Sequence, residues 1–551
     1  MRKLVFILLI AHCSLLIVNA QQPTQEWVRR YSGLQSNYGS RGLSVKLDSI
    51  GNVYVLAPVA TDTTLSDFCV IKYSPSGTFL WQAVYNSPGN LDDGETAFAV
   101  TPGGDVYVTG GSGINFTGHI LTLKFNSSGQ FQWARTYNGG GSADGAVDIA
   151  LDRQGNIIIV GGSAVNTNTC YALTIKYNPY GDSLWVRKFM QYQYSYNNKL
   201  VIDDSSSVYI TGYHRVNIMQ DNFLTLKYNW DGNLKWFLSY GLPPVGGISS
   251  CIAIDSNRNV YVAGNMYTQN PTYSAALVKI NPYGDTVWTR IYSGIGGNLS
   301  VEQPVGIGVT SDGTSIYYTL PCSNGLGGGA YDIVTLKYNS AGDSVWVRRY
   351  GTGIFGAANV PASLKLDKNN NIYITSSTYN NISGDDYVTI KYLPNGIQQW
   401  VVTYNGPLIN SGDYANNLII DTNLNVYVTG VSSRQNQPQF LWDAATIKYN
   451  QPIGIIKNSN GLPQIFVLAQ NYPNPFNSTT IINYELPCKS FIEINLYNEL
   501  GQLVKTLVKS EQNAGYYTFA FNFENFSSGI YFYSLKADNY LIGTKKLIIV
   551  K

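Results

Sequence analysis

Histidine is almost missing from this chain: three in 551 residues, alongside six cysteines and four methionines. Zinc sites need three or four nitrogen, sulfur or oxygen ligands within reach, so little is left for a histidine-based metal centre or triad. Charge is thin and balanced, with Lys+Arg 36 against Asp+Glu 34 and only 13% charged residues. That balance gives no electrostatic case for nucleic acid or an anionic membrane as partner. Long apolar runs are also missing, apart from the first twenty residues. There Arg2 and Lys3 precede an apolar stretch from Leu4 to Val18, interrupted by His12 and Ser14, and Val18-Asn19-Ala20 ends in a small residue before Gln21. The pattern is that of a cleaved signal peptide over residues 1–20, and the run is short for a membrane span. His12 before Cys13 does not suit a lipoprotein. After cleavage five cysteines remain, Cys69, Cys170, Cys251, Cys322 and Cys488, and an odd number at irregular spacing is not a disulfide framework.

What the chain has in quantity is tyrosine (43) and glycine (54), with 44% hydrophobic residues. Aromatic residues suit pleated surfaces and glycine suits turns, so this is a folded, β-rich composition. The length exceeds one ordinary core. One phrase recurs: an apolar pair, a lysine, an aromatic, a glycine turn and a tryptophan. It reads Val70-Ile71-Lys72-Tyr73 … Gly77 … Trp81, then Thr122-Leu123-Lys124-Phe125 … Gly129 … Trp133, with further copies at Lys176, Lys227, Lys279, Lys337, Lys391 and Lys448. The lysines are spaced by 52, 52, 51 and 52 residues and then by 58, 54 and 57. A fixed period near this length marks solenoids, propellers or arrays.

Within one period four short β-like runs are separated by tight Asn/Pro/Gly turns, as in residues 146–191. Four antiparallel strands per repeat suggest a propeller blade. Second-strand motifs of the Val53-Tyr54-Val55 type number eight, as do lysine strands and tryptophan strands. The tryptophans are out of phase: Trp27 precedes any complete unit and none follows Lys448. The N-terminal strand is therefore expected to complete the last unit and close the ring. The expected fold is all-β, an eight-bladed β-propeller over 21–450 with seven blades as the alternative. The Gly51-Asn52-Val53-Tyr54-Val55-like stretches and the Ile-Lys-Tyr … Gly … Trp hairpins, from about 24 to 450, resemble bacterial β-propeller repeats of the seven-bladed type. That resemblance implies seven blades; the residues give eight.

After Asn450 the pattern stops. Residues 451–463 read as a linker, and short strands with Gly and Asn turns over 464–551 suit a small Ig-like β-sandwich. Asn471-Tyr472-Pro473-Asn474-Pro475-Phe476-Asn477, then Gly529-Ile530-Tyr531-Phe532, then Lys546-Leu547-Ile548-Ile549-Val550-Lys551 resemble the type A sorting domain of the type IX secretion system. The resemblance implies the type IX machinery as partner of residues 464–551. It also implies a Gram-negative, Bacteroidota-type source and a secreted or outer-membrane-surface destination.

Chemistry-bearing groups are few. His119 fills a strand-entry slot held elsewhere by Asp67, Asn222, Asp332, Asp386 and Asp443, and His214 has no second ligand nearby in sequence. Gly351-Thr352-Gly353-Ile354-Phe355-Gly356 matches a dinucleotide fingerprint formally but links β-units and opens no helix. Asp203-Asp204 and Asp385-Asp386 fall at turns or strand entries. Asn-x-Ser/Thr sequons at Asn115, Asn126, Asn298, Asn381, Asn477 and Asn525 read as incidental. The eight repeat lysines read as architectural, stem packed between blades and head at carbonyls or carboxylates. The remaining lead is Ser40, Asp93, Asp144, Ser195, Gly247, Gln303, Asn359 and Asp413, which precede successive innermost strands. They read as strand caps or, through Asp93, Asp144 and Asp413, as a ligand or Ca²⁺ site at the channel mouth; oxygen-rich surroundings favour Ca²⁺ over Zn²⁺.

Any such site is expected on the face of the long loops, with Asp92, Asp93, Glu95, Tyr192, Tyr194, Tyr196, Tyr267 and Tyr273 as exposed-type residues. The expectation is a noncatalytic binding or scaffold protein recognising a glycan or a protein, with no cofactor beyond Ca²⁺. The alternatives are a propeller-based polysaccharide hydrolase or lyase and a structural or adhesive surface-layer component.

Overall fold

Apolar runs punctuated by glycine turns can only satisfy their backbones by pairing with one another, and they do so over almost the whole chain. The computed structural model describes residues 22–34, 39–60, 66–88, 93–113, 118–217, 220–241, 246–267, 273–294, 303–325, 329–408, 411–435, 441–451, 456–458, 466–471, 474–476, 479–523 and 526–550. The signal peptide, Asp92, most of the 451–463 segment and the sequons at Asn115, Asn298, Asn477 and Asn525 lie outside the described residues. Two compact units result, one of Pro23–Asn450 and one containing Gln451–Lys551.

In the first unit β1 is Thr24–Tyr31, β2 Ser44–Leu47, β3 Val53–Leu56, β4 Phe68–Tyr73 and β5 Phe79–Tyr85. Strands β2 to β5 form an antiparallel sheet in chain order. The same arrangement recurs over 93–137, 143–189, 195–240, 247–292, 306–350 and 360–404. The last sheet has three strands of its own, Ser411–Ile420, Val426–Gln435 and Leu441–Asn450, and β1 is its fourth. Trp27 stands opposite Lys448, the same register in which Trp81 stands opposite Lys72. The described residues thus hold eight four-stranded units, the seventh and eighth joined by a short parallel pairing of Gly384 with Ser411.

Innermost strands of successive units touch around a complete circuit, and Ser411–Ile420 returns to β2. Backbone bonds seal that return: Ser40 N–H donates to the Trp442 carbonyl at 2.9 Å and Gly42 N–H to the Gly430 carbonyl at 3.0 Å. The side-chain amide of Asn416 donates to the Gly42 carbonyl at 2.8 Å. A closed ring of radial sheets is a β-propeller, which leaves only short edges.

Every residue of β3 and β4 is buried, whereas β5 is half exposed. The apolar clusters lie between sheets: one joins Tyr54, Phe68 and Val70 of the first unit to Phe98, Val108 and Leu121 of the second. A buried tyrosine hydroxyl needs a partner, and in five units the turn before the second strand supplies it, through Asp48, Asp203, Asp255, Asp367 and Asp421. Asp48 accepts from Asn52 N–H at 2.8 Å, Asn52 Nδ2 at 2.7 Å and Tyr54 Oη at 3.0 Å. Asp255, Asp367 and Asp421 repeat that arrangement with their own Asn and Tyr.

The C-terminal compact unit, containing Gln451–Lys551, is a β-sandwich. One sheet runs Ile456–Asn458, Gly515–Asn522, Thr479–Leu486, Val467–Leu468; the other runs Leu503–Gln512, Ser490–Asn498, Gly529–Ala537, Tyr540–Ile549. Ile482, Tyr484 and Phe519 of the first sheet share a core with Ile492, Leu496 and Leu535 of the second. Residues 456–458, inside the stretch read as a linker, pair as a strand, Ile456 opposite Thr518. Three residues carry too little periodicity to announce a strand; the open edge of the sheet supplies the partner.

Candidate functional site

The repeated phrase is the fastening between units. Lys72 Nζ and Trp81 Nε1 both donate to the Ser127 carbonyl of the next unit, at 3.1 and 3.2 Å. Lys124 and Trp133 converge in the same way on Pro179, Lys176 and Trp185 on Trp230, and Lys337 and Trp346 on Pro394. At the seam Lys448 and Trp27, 421 positions apart in the chain, converge on Pro75. Each glycine turn lies under the preceding unit's indole; a Cβ on Gly129 would sit 2.7 Å from Trp81. Seven of the eight ammonium groups also lie over a second-strand tyrosine ring, Lys72 at 4.9 Å from that of Tyr54; Lys176 has Ile158 in that place. The lysines therefore hold the ring together, as their repetition implies, and Lys176 is further paired with Asp152 at 2.9 Å.

The three candidate acids stand where the loop between units enters an innermost strand. Asp93 is fully buried and accepts from Ser87 N–H at 2.7 Å and Ser87 Oγ at 2.6 Å. Asp144 accepts from Gly139 N–H at 2.6 Å, and Asp413 from Gly406 N–H at 2.6 Å. Each faces a serine of its second strand: Ser112, Ser163 and Ser432. Burial raises the Asp413 carboxyl above its ordinary value, while the Ser432 hydroxyl and Gly406 N–H pull it back. The three acids belong to three different sheets, and among the described residues no three His, Cys, Asp or Glu side chains are grouped to hold a metal ion.

Other expected groups are absorbed by the fold. Glu95 is buried, not exposed, and accepts from Cys69 N–H at 3.3 Å. His119 opens a strand opposite Ser112. His214 is buried, stacked 3.5 Å from the Tyr192 ring, with Nε2 2.7 Å from Ser239 Oγ, and burial pushes its pKa down. Gly351 to Gly356 is the loop between two units. Asp386 accepts from Ser383 Oγ and Asn380 Nδ2, both at 2.6 Å. The five cysteines are free thiols, four of them buried.

Two further features stand out: one gathers tyrosines expected on the long-loop face together with Tyr213 and Arg215, and the other gives no signal in the sequence. On the long-loop face of the fourth unit Tyr194 and Tyr196 each lie 6.2 Å from Tyr213, with the Arg215 guanidinium 4.5 Å above the Tyr194 ring. These tyrosines are half-buried. In the ring's interior Lys46, Lys199 and Lys365, from the first, fourth and seventh innermost strands, feel one another and Asp148, whose carboxylate is 3.9 Å from Lys199. Lys365 is exposed to water yet enclosed by protein, as a channel-facing side chain is, and that enclosure brings its pKa down to about 8. None of these lysines occupies the repeated position, so periodicity gives no signal for them.

In the C-terminal unit the opening motif pins the last strand. Asn474 donates through Nδ2 to the Lys546 carbonyl at 3.0 Å and accepts from Ile548 N–H at 2.9 Å. Phe476 N–H donates to the Ile548 carbonyl and Val550 N–H to the Phe476 carbonyl, at 3.1 and 2.8 Å. These residues fall within the match to the family described as the secretion system C-terminal sorting domain, over residues 470–550. A curated relative, an uncharacterized WD repeat-containing protein of Acanthamoeba polyphaga mimivirus, is 24% identical over 284 residues, 39% of this chain. The matched stretch spans only 20% of that relative's length. Among solved structures, Sqt1 of Chaetomium thermophilum overlaps 78% of this chain and all of its own (TM-score 0.47, 8% identity). The periplasmic gluconolactonase of Pseudomonas aeruginosa overlaps 68% of this chain and 98% of its own (TM-score 0.40, 13% identity). The fold rests on the strand pairing described above, not on these overlaps. The chain is a β-propeller joined to a type IX secretion-system C-terminal sorting domain, the mark of a secreted or cell-surface protein of a Bacteroidota-type bacterium.

Proposed function

We propose that this is a noncatalytic binding protein that recognises a glycan or a protein outside the cell through the long-loop face of its propeller. The observation that carries the reading is the shelf of Tyr194, Tyr196 and Tyr213 with Arg215. Tyrosine offers a flat apolar face and a hydroxyl at low conformational cost, and a cation over one ring adds a polar anchor. Tyr273, 37% exposed and 5.3 Å from Tyr267, extends the same chemistry to the fifth unit. Asp93, Asp144 and Asp413 serve by fixing the loops at the strand entries, not as contacts to Ca²⁺ or ligand. The cleavable leader and attachment at the surface after export belong to this reading.

The test is a glycan array and an envelope-protein pull-down with the mature chain, repeated with Tyr194→Ala and Tyr213→Ala together. A ligand whose affinity falls tenfold or more in the variant supports the shelf. A ligand that binds parent and variant equally places recognition elsewhere.

A further inference from the structure

The short-turn face, opposite the shelf, holds a cavity of about 640 Å³ between the third and fourth units. Three turns meet there. Gln154 and Asn156 come from the first turn of the third unit, Ser205 and Ser206 from that of the fourth, Trp230 and Asp231 from the fourth unit's hairpin; Lys176, Leu184 and Trp185 complete the lining. Trp230 is the anomaly. The corresponding residue, whose carbonyl receives the neighbouring Lys and Trp, is Pro75, Ser127, Pro179, Pro282, Ser340 or Pro394 elsewhere. The fastening uses only that backbone oxygen, and proline or serine suits the first corner of a turn. An indole 60% exposed at this corner does nothing for the ring.

The rest of the lining is mostly uncharged amides and hydroxyls. Ser206 Oγ bonds Gln154 Oε1 at 3.0 Å, bridging the two units and leaving the donor end of that amide to a ligand. Asn156 uses Nδ2 on Asp152 at 2.9 Å, which leaves its oxygen as an acceptor. At the floor the Lys176 ammonium is already paired with Asp152 and the Trp230 carbonyl, so it is committed within the protein. The remaining charge, the Asp231 carboxylate at the rim, repels anions. An exposed aromatic plane beside amides and hydroxyls matches the two faces of a sugar ring, apolar C–H above and hydroxyls at the edge.

We propose that this groove is a subsite for a neutral oligosaccharide, with Trp230 as the stacking platform and Gln154 and Asn156 as edge partners. It rests on the reading of the ring as a binding protein but not on the tyrosine shelf. The probes are neutral hexasaccharides of glucose, mannose, xylose and N-acetylglucosamine, titrated calorimetrically into the mature full chain. At least one is expected to bind, Trp230→Ala to weaken it tenfold or more, and Trp230→Phe to restore part of that loss. Tyr283→Ala, at an exposed turn of the next unit, is expected to leave binding unchanged, and thermal unfolding of Trp230→Ala to match the parent. Binding lost with Tyr194→Ala but kept with Trp230→Ala would overturn the groove and support the shelf. Absence of binding to all four sugars would overturn the groove and leave the shelf to its own test.

Discussion

At seven junctions among the described residues one carbonyl oxygen receives an indole N–H and an ammonium, and the glycine two residues on lies under the indole ring. At Gly129, φ is +80° and a Cβ would meet Trp81 at 2.7 Å; at Gly140, φ is +79° but nothing lies within 4 Å. A side chain in left-handed backbone costs roughly 1–2 kcal/mol, so Gly140→Ala should lose about that much. Gly129→Ala must also displace the Trp81 ring, and its loss should reach ~3 kcal/mol or more. Denaturation midpoints of the two variants measure the difference, and equal losses would remove the indole contact from the account. Glu95 sets a pH dependence. Burial raises its carboxyl well above the usual range, with Cys69 N–H and its own backbone pulling down. The native state then holds this proton more tightly than the unfolded one, so stability falls as pH rises from the unfolded pKa through the native one. Glu95→Gln keeps an acceptor for Cys69 and removes the charge. It should therefore stabilise the protein at pH 7–8 by about 1–3 kcal/mol, with the gain vanishing below pH 4. A gain that persists undiminished in acid would contradict this assignment.

Among elements, the last strand of the sorting domain, Tyr540–Ile549, is held at its outer side by Asn474 and Phe476. Asn474→Ala should cost that domain ~1–3 kcal/mol through the orphaned Ile548 N–H, the Lys546 carbonyl keeping its bond from Gln470 Nε2 at 2.6 Å, and amide exchange at Ile548 should quicken. Unchanged exchange there would show that the motif does not hold the strand. The strands themselves were legible because each repeated residue has one fixed duty: valine and tyrosine fill the space between sheets, aspartate takes the tyrosine hydroxyl, glycine admits the indole. The offset of Trp27 was legible for the same reason, since a fastening needs both halves. Burial of Asp93 and Glu95 was not legible, because a carboxylate looks exposed until the neighbouring loop that it caps is known. Lys46, Lys199 and Lys365 were hidden because the innermost strands are the least repetitive, and only ring closure brings distant strands to one axis. Trp230 was hidden by its neighbours; its oddity shows only against the prolines and serines of the same corner.

For the whole molecule, the sorting domain and the ring have separable duties. Among the described residues no helix is long and apolar enough to cross a membrane, and the sorting role follows from the match to a secretion-system C-terminal sorting domain over residues 470–550. Removing residues 464–551 should leave a folded ring in the periplasm of a type IX-competent host, and normal amounts at the surface would contradict the sorting role. The ring in turn depends on its seam. β1 contributes seven paired positions to the last sheet, and Trp27 with Lys448 makes the junction to the first unit through Pro75. Arg30 adds an ion pair to Asp443 at 3.0 Å. The measurement that tests this most directly is thermal unfolding of the chain lacking residues 21–33, followed by circular dichroism and tryptophan fluorescence. A closed ring predicts loss of the single cooperative transition, because the eighth sheet loses its outer strand and the seam its fastening. Unfolding at the parent's temperature with the parent's cooperativity would show that the ring does not close through β1.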